Sequence, residues 1–431
     1  MYEWLDKRNF RYPNHNQDAL ILKKERGDGI NMRIGMMADA YKPHISGITN
    51  YISLNKRYLE ALGHDVYVFT FGGDVQEEDH EKNIIRTRGM PLVDSGYYIS
   101  VRYNDEAQRI LQNMDIVHVH HPFTSGQLAL RYCKASDIPI VFTNHTRYDL
   151  YAQVYIPIVP EAMWDAFLKA YMPSFCRSCD LVIAPSAGLK EVLHKLNVDS
   201  NIEVVPNGID VEPFQTPTER IPRSTFNIGE DDILLTYMGR LGPEKNLSFL
   251  MQSFSAIAKS FNGVHLLFIG GGAERQNLEE QARYLDISDK VHFTGQVPYE
   301  NLPSYLVSAD VFITASISEV HPLSLIESMA AGLPAVGIQS PGIGDIIEDG
   351  VNGLLAPTQD LAIFTAKIAR IVSDNEYRHQ LAVNARESAK LYSISRTAEI
   401  VLSHYDRLVT QAKKKKRKFR INFQRIFRKE G

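Results

Sequence analysis

Arg240 and Lys245 stand five residues apart in GRLGPEK, a glycine-punctuated turn after the apolar run 233–238. Two cations at a strand-to-helix turn suit an anion, above all a phosphate; the plain alternative is a solvated surface pair. Glu319 and Glu327 lie in ISEVHPLSLIE, the first in a loop and the second in the second turn of an apolar helix. An acid among apolar neighbours is either on the outer face or buried with a partner. As buried groups the two acids would accept hydrogen bonds from hydroxyls while backbone amides take a phosphate. On spacing alone the solvated reading stands equal.

Glycine-rich turns add weaker signals. Gly270, Gly271 and Gly272 follow the run 264–269, and Gly47 lies between a first strand and a first helix. Either turn could bring backbone N–H groups close to a phosphate. No full G-x-G-x-x-G is present, which argues against a simple dehydrogenase. The histidines gather at strand ends: His118, His120 and His121 close one run, and His145 closes the next. Zinc is not supported, because neither a helical His-Glu-x-x-His nor a second cysteine pair accompanies them. A hydrogen-bonded core role is expected for His118, and contact with the reacting group for His145. Cys176 and Cys179 form a lone C-x-x-C without the strand context of a redox motif.

The elements that must hold these residues alternate. Strand signals fall at 32–38, 66–70, 116–120, 138–142, 181–184 and 202–205, with helical patterns such as 49–62 and 186–196 between them. Prolines at 206, 213, 217 and 222 mark a linker. A second series places strands at 233–238, 264–269, 291–294, 311–315 and 335–338, and helices at 246–260, 274–285, 300–308 and 323–331. Helical stretches 358–372 and 374–410 close it. This is the βαβ pattern of parallel sheets. The expected fold is α/β, two doubly wound Rossmann-like domains facing a cleft. The division is 1–31 as a polar extension, 32–215 and 216–390 as the two Rossmann-like domains, 391–410 as a closing helix and 411–431 as a basic amphipathic tail. Ligands of such sheets sit at the carboxyl ends of the strands, and an interdomain cleft favours a substrate site.

At 44% hydrophobic and 23% charged residues, the 431-residue chain reads as an ordinary globular protein of two or three domains. The polar N-terminus does not read as a secretory signal, Met32 could itself be a start, and three cysteines fit a reducing cytoplasm. Residues 413–431 hold ten Lys/Arg and one Glu, a balance of +9, which leaves −13 for the rest of a chain whose net charge is −4. An acidic body excludes a general nucleic-acid binder. Lys413, Lys414, Lys415, Lys416, Arg417 and Lys418 precede Phe419, Phe423, Ile426 and Phe427, which recur at helical spacing. Basic plus amphipathic suits an anionic membrane surface.

Taken in order, the Gly47 loop, His145, VPNGID at 205–210, Gly239-Arg240 with Lys245, the triple glycine and the Glu319–Glu327 pair with its AAGLP tail resemble the family 4 retaining glycosyltransferases of GT-B fold. The resemblance spans roughly 32–410. It implies an enzyme that moves a hexose from a nucleotide-sugar, UDP- or GDP-linked, with no resident cofactor or metal. Arg240 and Lys245 would neutralise the departing diphosphate, Glu319 would hold sugar hydroxyls, and Glu327 the ribose. His145 would meet the 6-hydroxyl side of the sugar. Gly47 would bring backbone against the phosphates or the acceptor, Gly239, Gly271, Leu323 and Ser324 would line the phosphates, and Val297 would meet the base. The pair His321-Pro322 departs from the family pattern and leaves the donor sugar open. The loop NHTRYDLY at 144–151 resembles that of bacterial enzymes acting on diacylglycerol-type lipids. A lipid acceptor on the inner face of the membrane is therefore expected, with Tyr97, Tyr98, Tyr148, Tyr151 and Tyr155 as groove candidates. A soluble glycan acceptor, a sugar-phosphate synthase or phosphorylase, and a non-catalytic nucleotide-sugar binder are the alternatives.

Overall fold

The computed structural model describes residues 31–427 other than 45, 74–80, 92–97, 151–158 and 218, with backbone alone over 417–427. Tyr97, Tyr151, Tyr155, the extension 1–30 and the side chains of Arg417, Lys418 and the tail stripe lie outside that description.

Short β-branched runs form two parallel sheets. In the seven-stranded sheet the order is Ile84–Arg88, Asp65–Gly72, Arg33–Met37, Ile116–Val119, Ile140–Thr143, Leu181–Ala184 and Ile202–Val204. In the six-stranded sheet it is Val291–Phe293, Val264–Ile269, Ile233–Met238, Val311–Ile313, Ala335–Ile338 and Gly353–Ala356. Each sheet starts at an inner strand, winds outward one way, then returns to wind the other. The crevice where the winding reverses opens beside Arg33–Met37 and Ile116–Val119 in one sheet, and beside Ile233–Met238 and Val311–Ile313 in the other. Ligands of doubly wound sheets bind at that point. Strands buried on both faces read as near-continuous apolar runs, as LVIA over Leu181–Ala184 does.

Several expectations require correction. The single helix foreseen over 374–410 is two, Asn375–Ala389 and Ile394–Phe427, separated by a turn at Lys390–Tyr392. That turn is where the chain returns to the first sheet: Ile209 N–H donates to the Tyr392 carbonyl at 2.9 Å, and Ile394 N–H to that of Ile209 at 2.7 Å. Val401, Leu402, Tyr405, Leu408 and Val409 then bury against Met32, Ile34 and Tyr51. The closing helix and the start of the tail are thus one element, without a break at 410. Pro322 caps the helix Leu323–Ala330, which ends one residue before the expected 331. The helix Glu161–Ser178 was not foreseen, because Pro173 interrupts its pattern from inside. Strands Ile84–Arg88 and Gly353–Ala356 were also missed; both are sheet edges, where hydrophobic patterning is weakest.

Candidate active site

A cavity of about 320 Å³ lies between the two sheets. His145, Thr146, Arg147 and Leu150 line it from the loop after Ile140–Thr143. Arg240, Glu244 and Lys245 come from the turn after Ile233–Met238, and Ser318, Glu319 and Val320 from the loop after Val311–Ile313. All three loops leave the carboxyl ends of parallel strands. The structure therefore gathers the four residues expected to act on the reacting groups, His145, Arg240, Lys245 and Glu319.

The cations are already engaged. Lys245 Nζ lies 2.7 Å from Glu319 Oε1, with both side chains about one-fifth exposed, 19% and 20%. Arg240 Nη2 meets Glu244 Oε1 at 2.7 Å, with the arginine half exposed and the acid buried. Across the cleft His44, from the loop before Gly47, is held below the ordinary histidine range by burial and by the Arg240 charge. Gly239 and Gly271 act through backbone here. Gly239 N–H donates to the Ile269 carbonyl at 3.0 Å and Leu241 N–H to that of Gly271 at 2.9 Å. The triple-glycine turn therefore splints the turn that carries Arg240. Gly270 makes this possible: its φ is +137°, and a Cβ there would lie 2.1 Å from the Gly239 carbonyl oxygen.

Glu327 is buried, not on a solvated face. Tyr299 donates its hydroxyl to Oε1 at 2.9 Å. Burial raises the carboxyl to about 7, and the tyrosine bond only partly offsets that. Desolvation also pushes the Tyr299 hydroxyl far above its usual range. Val297 and Leu323 pack in the same apolar cluster as Tyr299, and Ser324 sits beside Leu323 at the helix start. Gly239, Gly271, Val297, Leu323, Ser324 and Glu327 do not line the cavity, and Gly47 is exposed at the opening of helix Gly47–Ala61.

His321 turns away from the cleft. Its ring meets Tyr392 edge-on at 5.2 Å, and its carbonyl accepts from Asn207 Nδ2 at 3.1 Å. Beside it, the Val320 carbonyl accepts from Ser186 Oγ at 2.7 Å. The loop holding Glu319 is thus tied to the first sheet's domain on both counts. Sequence reasoning passed over Glu244 and Arg147. Both were legible, Glu244 four residues after Arg240 and Arg147 two before its partner Asp149, at 2.6 Å.

On the opposite wall His118 is buried with Tyr405 and Thr143, as expected for a core histidine: Nδ1 lies 2.5 Å from the Tyr405 hydroxyl and Nε2 2.6 Å from Thr143 Oγ1. Burial lowers His118 to about 3 and carries His120 and His145 well below their ordinary value. These rings are neutral at physiological pH. Burial also raises Cys176 to about 12 and Cys179 well above the thiol range, which makes both inert. Among the described residues no cluster of three or more His, Cys, Asp or Glu is arranged to hold a metal ion, and no helix is long and apolar enough to cross a membrane.

Comparison with known proteins agrees with this architecture. Residues 45–213 match Glycosyltransferase Family 4, and residues 219–388 match Glycosyl transferases group 1. An alpha-monoglucosyldiacylglycerol synthase of Streptococcus pneumoniae is 29% identical over 374 residues, 84% of this chain and 82% of that protein. A second synthase of that name, from Acholeplasma laidlawii, is 27% identical over 84% of this chain and 94% of its own length. Among solved structures, sucrose-phosphate synthase of Thermosynechococcus elongatus superposes with a TM-score of 0.73 at 22% identity, covering 88% of this chain and all of that one. HepE of Anabaena, solved in complex with UDP-glucose, gives 0.68 at 16% identity over 87% of this chain and 99% of its own. With both halves matched and two doubly wound sheets meeting at one cleft, this chain belongs to the family 4 glycosyltransferases and is an enzyme of GT-B fold.

Proposed function

We propose that the enzyme moves a hexose, with retention, from UDP- or GDP-hexose to a hydroxyl of a membrane lipid. The observation that carries this reading is the convergence of Arg240, Lys245, Glu319 and His145 on one interdomain cavity. The bond from the sugar's anomeric carbon to the diphosphate breaks as the acceptor oxygen bonds that carbon on the same face. The acceptor's proton passes to the departing diphosphate oxygen. Arg240 and Lys245 stabilise the charge that grows there. Glu319, in exchanging Lys245 for sugar hydroxyls, holds the ring in place. Tyr299 keeps one oxygen of Glu327 occupied and leaves the other for the ribose. Gly47, Gly239, Gly271, Leu323 and Ser324 are assigned to the phosphates, and Val297 to the base.

The lipid acceptor is supported by the two synthases named for diacylglycerol. The basic helix supports a peripheral place on the inner membrane face. Lys413, Lys415 and Lys416 continue Ile394–Phe427 past its buried part, where Lys413 lies 3.6 Å from Asp115 and Lys416 Nζ donates to the Ser136 carbonyl at 2.9 Å. Each basic residue at an anionic leaflet contributes about 1 kcal/mol.

A panel of UDP- and GDP-hexoses with diacylglycerol-containing vesicles, read by mass spectrometry and anomeric NMR, tests the reading. An α-linked glycolipid is expected. Transfer to soluble sugars alone would remove the lipid acceptor, and an inverted anomer would remove retention. Truncation after Ala412 keeps Tyr405, Leu408 and Val409 in their core, so it isolates the tail: vesicle co-sedimentation is expected to fall, and unchanged binding refutes the membrane role.

A further inference from the structure

Two buried histidines, His118 and His120, lead from the core to the half-buried His145 at the cavity, and their nitrogens are not equally served. His118 has both occupied, by Tyr405 and Thr143. Its ring lies 4.3 Å from that of His120 and has no nitrogen left to offer. His120 Nδ1 lies 3.1 Å from His145 Nε2, whereas His120 Nε2 is buried with no hydrogen-bond partner. Tyr51 packs its ring against both, 5.7 Å from His120 and 4.8 Å from His145, which fixes the two planes.

Two neutral arrangements fit a single hydrogen bond between these rings. If His145 donates, His120 carries its proton on Nε2, where it is sealed away without an acceptor. If His120 donates, Nε2 is only a bare lone pair. An orphaned buried N–H is the rarer and costlier of the two. The proton of His120 therefore belongs on Nδ1, and His145 accepts it at Nε2. A neutral His145 must then carry its own proton on Nδ1, the nitrogen left for the cavity.

We propose that His120 is a positioning residue that locks His145 in its Nδ1–H tautomer and so presents it to the cavity as a hydrogen-bond donor. His145 can then donate to a sugar oxygen and has no free lone pair with which to take a proton. It is not the base of the reaction. The acceptor's proton must leave by the diphosphate, as the proposed function has it. The inference rests on that reading only for the identity of the oxygen that His145 meets.

The test is the tautomer itself, measured on the full chain with ¹⁵N-labelled histidine by long-range proton–nitrogen correlation. Signals of His145 are assigned by their loss in His145→Gln. Wild-type His145 is expected in the Nδ1–H form. His120→Asn, whose amide can donate from nearly the place of Nδ1, is expected to keep that form, and His120→Phe to release His145 to Nε2–H. Undisturbed His118 signals report that the core has held. Donor kcat/KM is expected to fall about tenfold in His120→Phe, the scale of one lost hydrogen bond, and to return most of the way in His120→Asn. An Nε2–H His145 in the wild type, or an unmoved tautomer in His120→Phe, overturns the proposal. A tautomer that shifts without any change in transfer upholds the lock and sinks only the contact of His145 with the donor sugar.

Discussion

The wall built by the six-stranded sheet brings charge to the cleft: Arg240 with Glu244, Lys245 with Glu319, and Glu327 behind them. The wall built by the seven-stranded sheet brings histidines stripped of charge by burial, with Arg147 answered by Asp149. The order of the six-stranded sheet repeats the first six strands of the other, so the fold does not dictate the difference. On the proposed function it follows from what each wall would meet. A diphosphate needs preorganised cations whose charge is already compensated until it arrives. A sugar and its acceptor need donors and acceptors that do not attract protons. Titration separates the walls as well. A neutral buried histidine costs stability as pH falls below about 6.5, where the unfolded chain takes up the proton first. A carboxyl raised to about 7 costs stability as pH rises from about 4.5 through 7, where the unfolded chain loses its proton first.

Disarming the charged wall is expected to have the largest effect. Lys245→Ala removes a cation from the leaving group and strands Glu319 without its partner. A loss of about 10²–10³ in kcat is expected, the range for one preorganised electrostatic group. Glu319→Gln is expected to cut turnover on the same scale while leaving nucleotide affinity within a few fold. Normal turnover in Glu319→Gln would show that the sugar is held elsewhere.

Next in size is the cost of the buried acid. Glu327→Gln removes a carboxyl whose ionisation is opposed by burial. The variant is expected to gain up to about 3 kcal/mol over the wild type at pH 8, and nothing at pH 4, where both unfolded and folded carboxyls are protonated. Nucleotide affinity is expected to fall in the same protein. Thermal melts across pH read the first, and calorimetric titration of UDP and GDP the second. A difference in stability that did not grow between pH 4.5 and 7 would mean that Glu327 ionises freely.

Much of this was legible before any coordinates. Runs 181–184, 233–238, 264–269 and 335–338 became strands with those bounds, because a strand covered on both faces is apolar nearly throughout. Arg240, Lys245 and Glu319 could be placed because glycine and proline punctuate the turns that carry them. Whether Glu327 was solvated could not be read, since Tyr299 reaches it from another element, 28 residues away in sequence. Nor could the direction of His321, which Tyr392 and Asn207 decide from distant parts of the sequence. Local pattern fixes elements, whereas the partners of buried polar groups are set by tertiary packing.

The smallest expected effect concerns how the two walls are held together. Gly188, in the helix Ala187–Lys195 of the first domain, faces Pro341 of the second so closely that a Cβ would lie 2.4 Å from the proline carbonyl oxygen. Its N–H also donates to Asp345 Oδ2 at 3.1 Å. Backbone cannot yield as a flexible side chain can, so Gly188→Val must push the walls apart there. Ser186 Oγ, two residues earlier, would then lose the Val320 carbonyl, and with it the support of the Glu319 loop. Overpacking of this kind costs about 1–3 kcal/mol. Each sheet keeps its own core, so the strain is expected to open the cleft and not to unfold a domain. Donor KM is expected to rise about tenfold, with the Glu327–Tyr299 pair and its pH-dependent stability unaltered. Ser186→Ala, which removes one hydrogen bond and adds no bulk, is expected to cost about 1 kcal/mol and to move KM less. Should Gly188→Val leave donor KM unchanged, the charged wall would be complete without the neutral one, and the contact between them would serve stability alone.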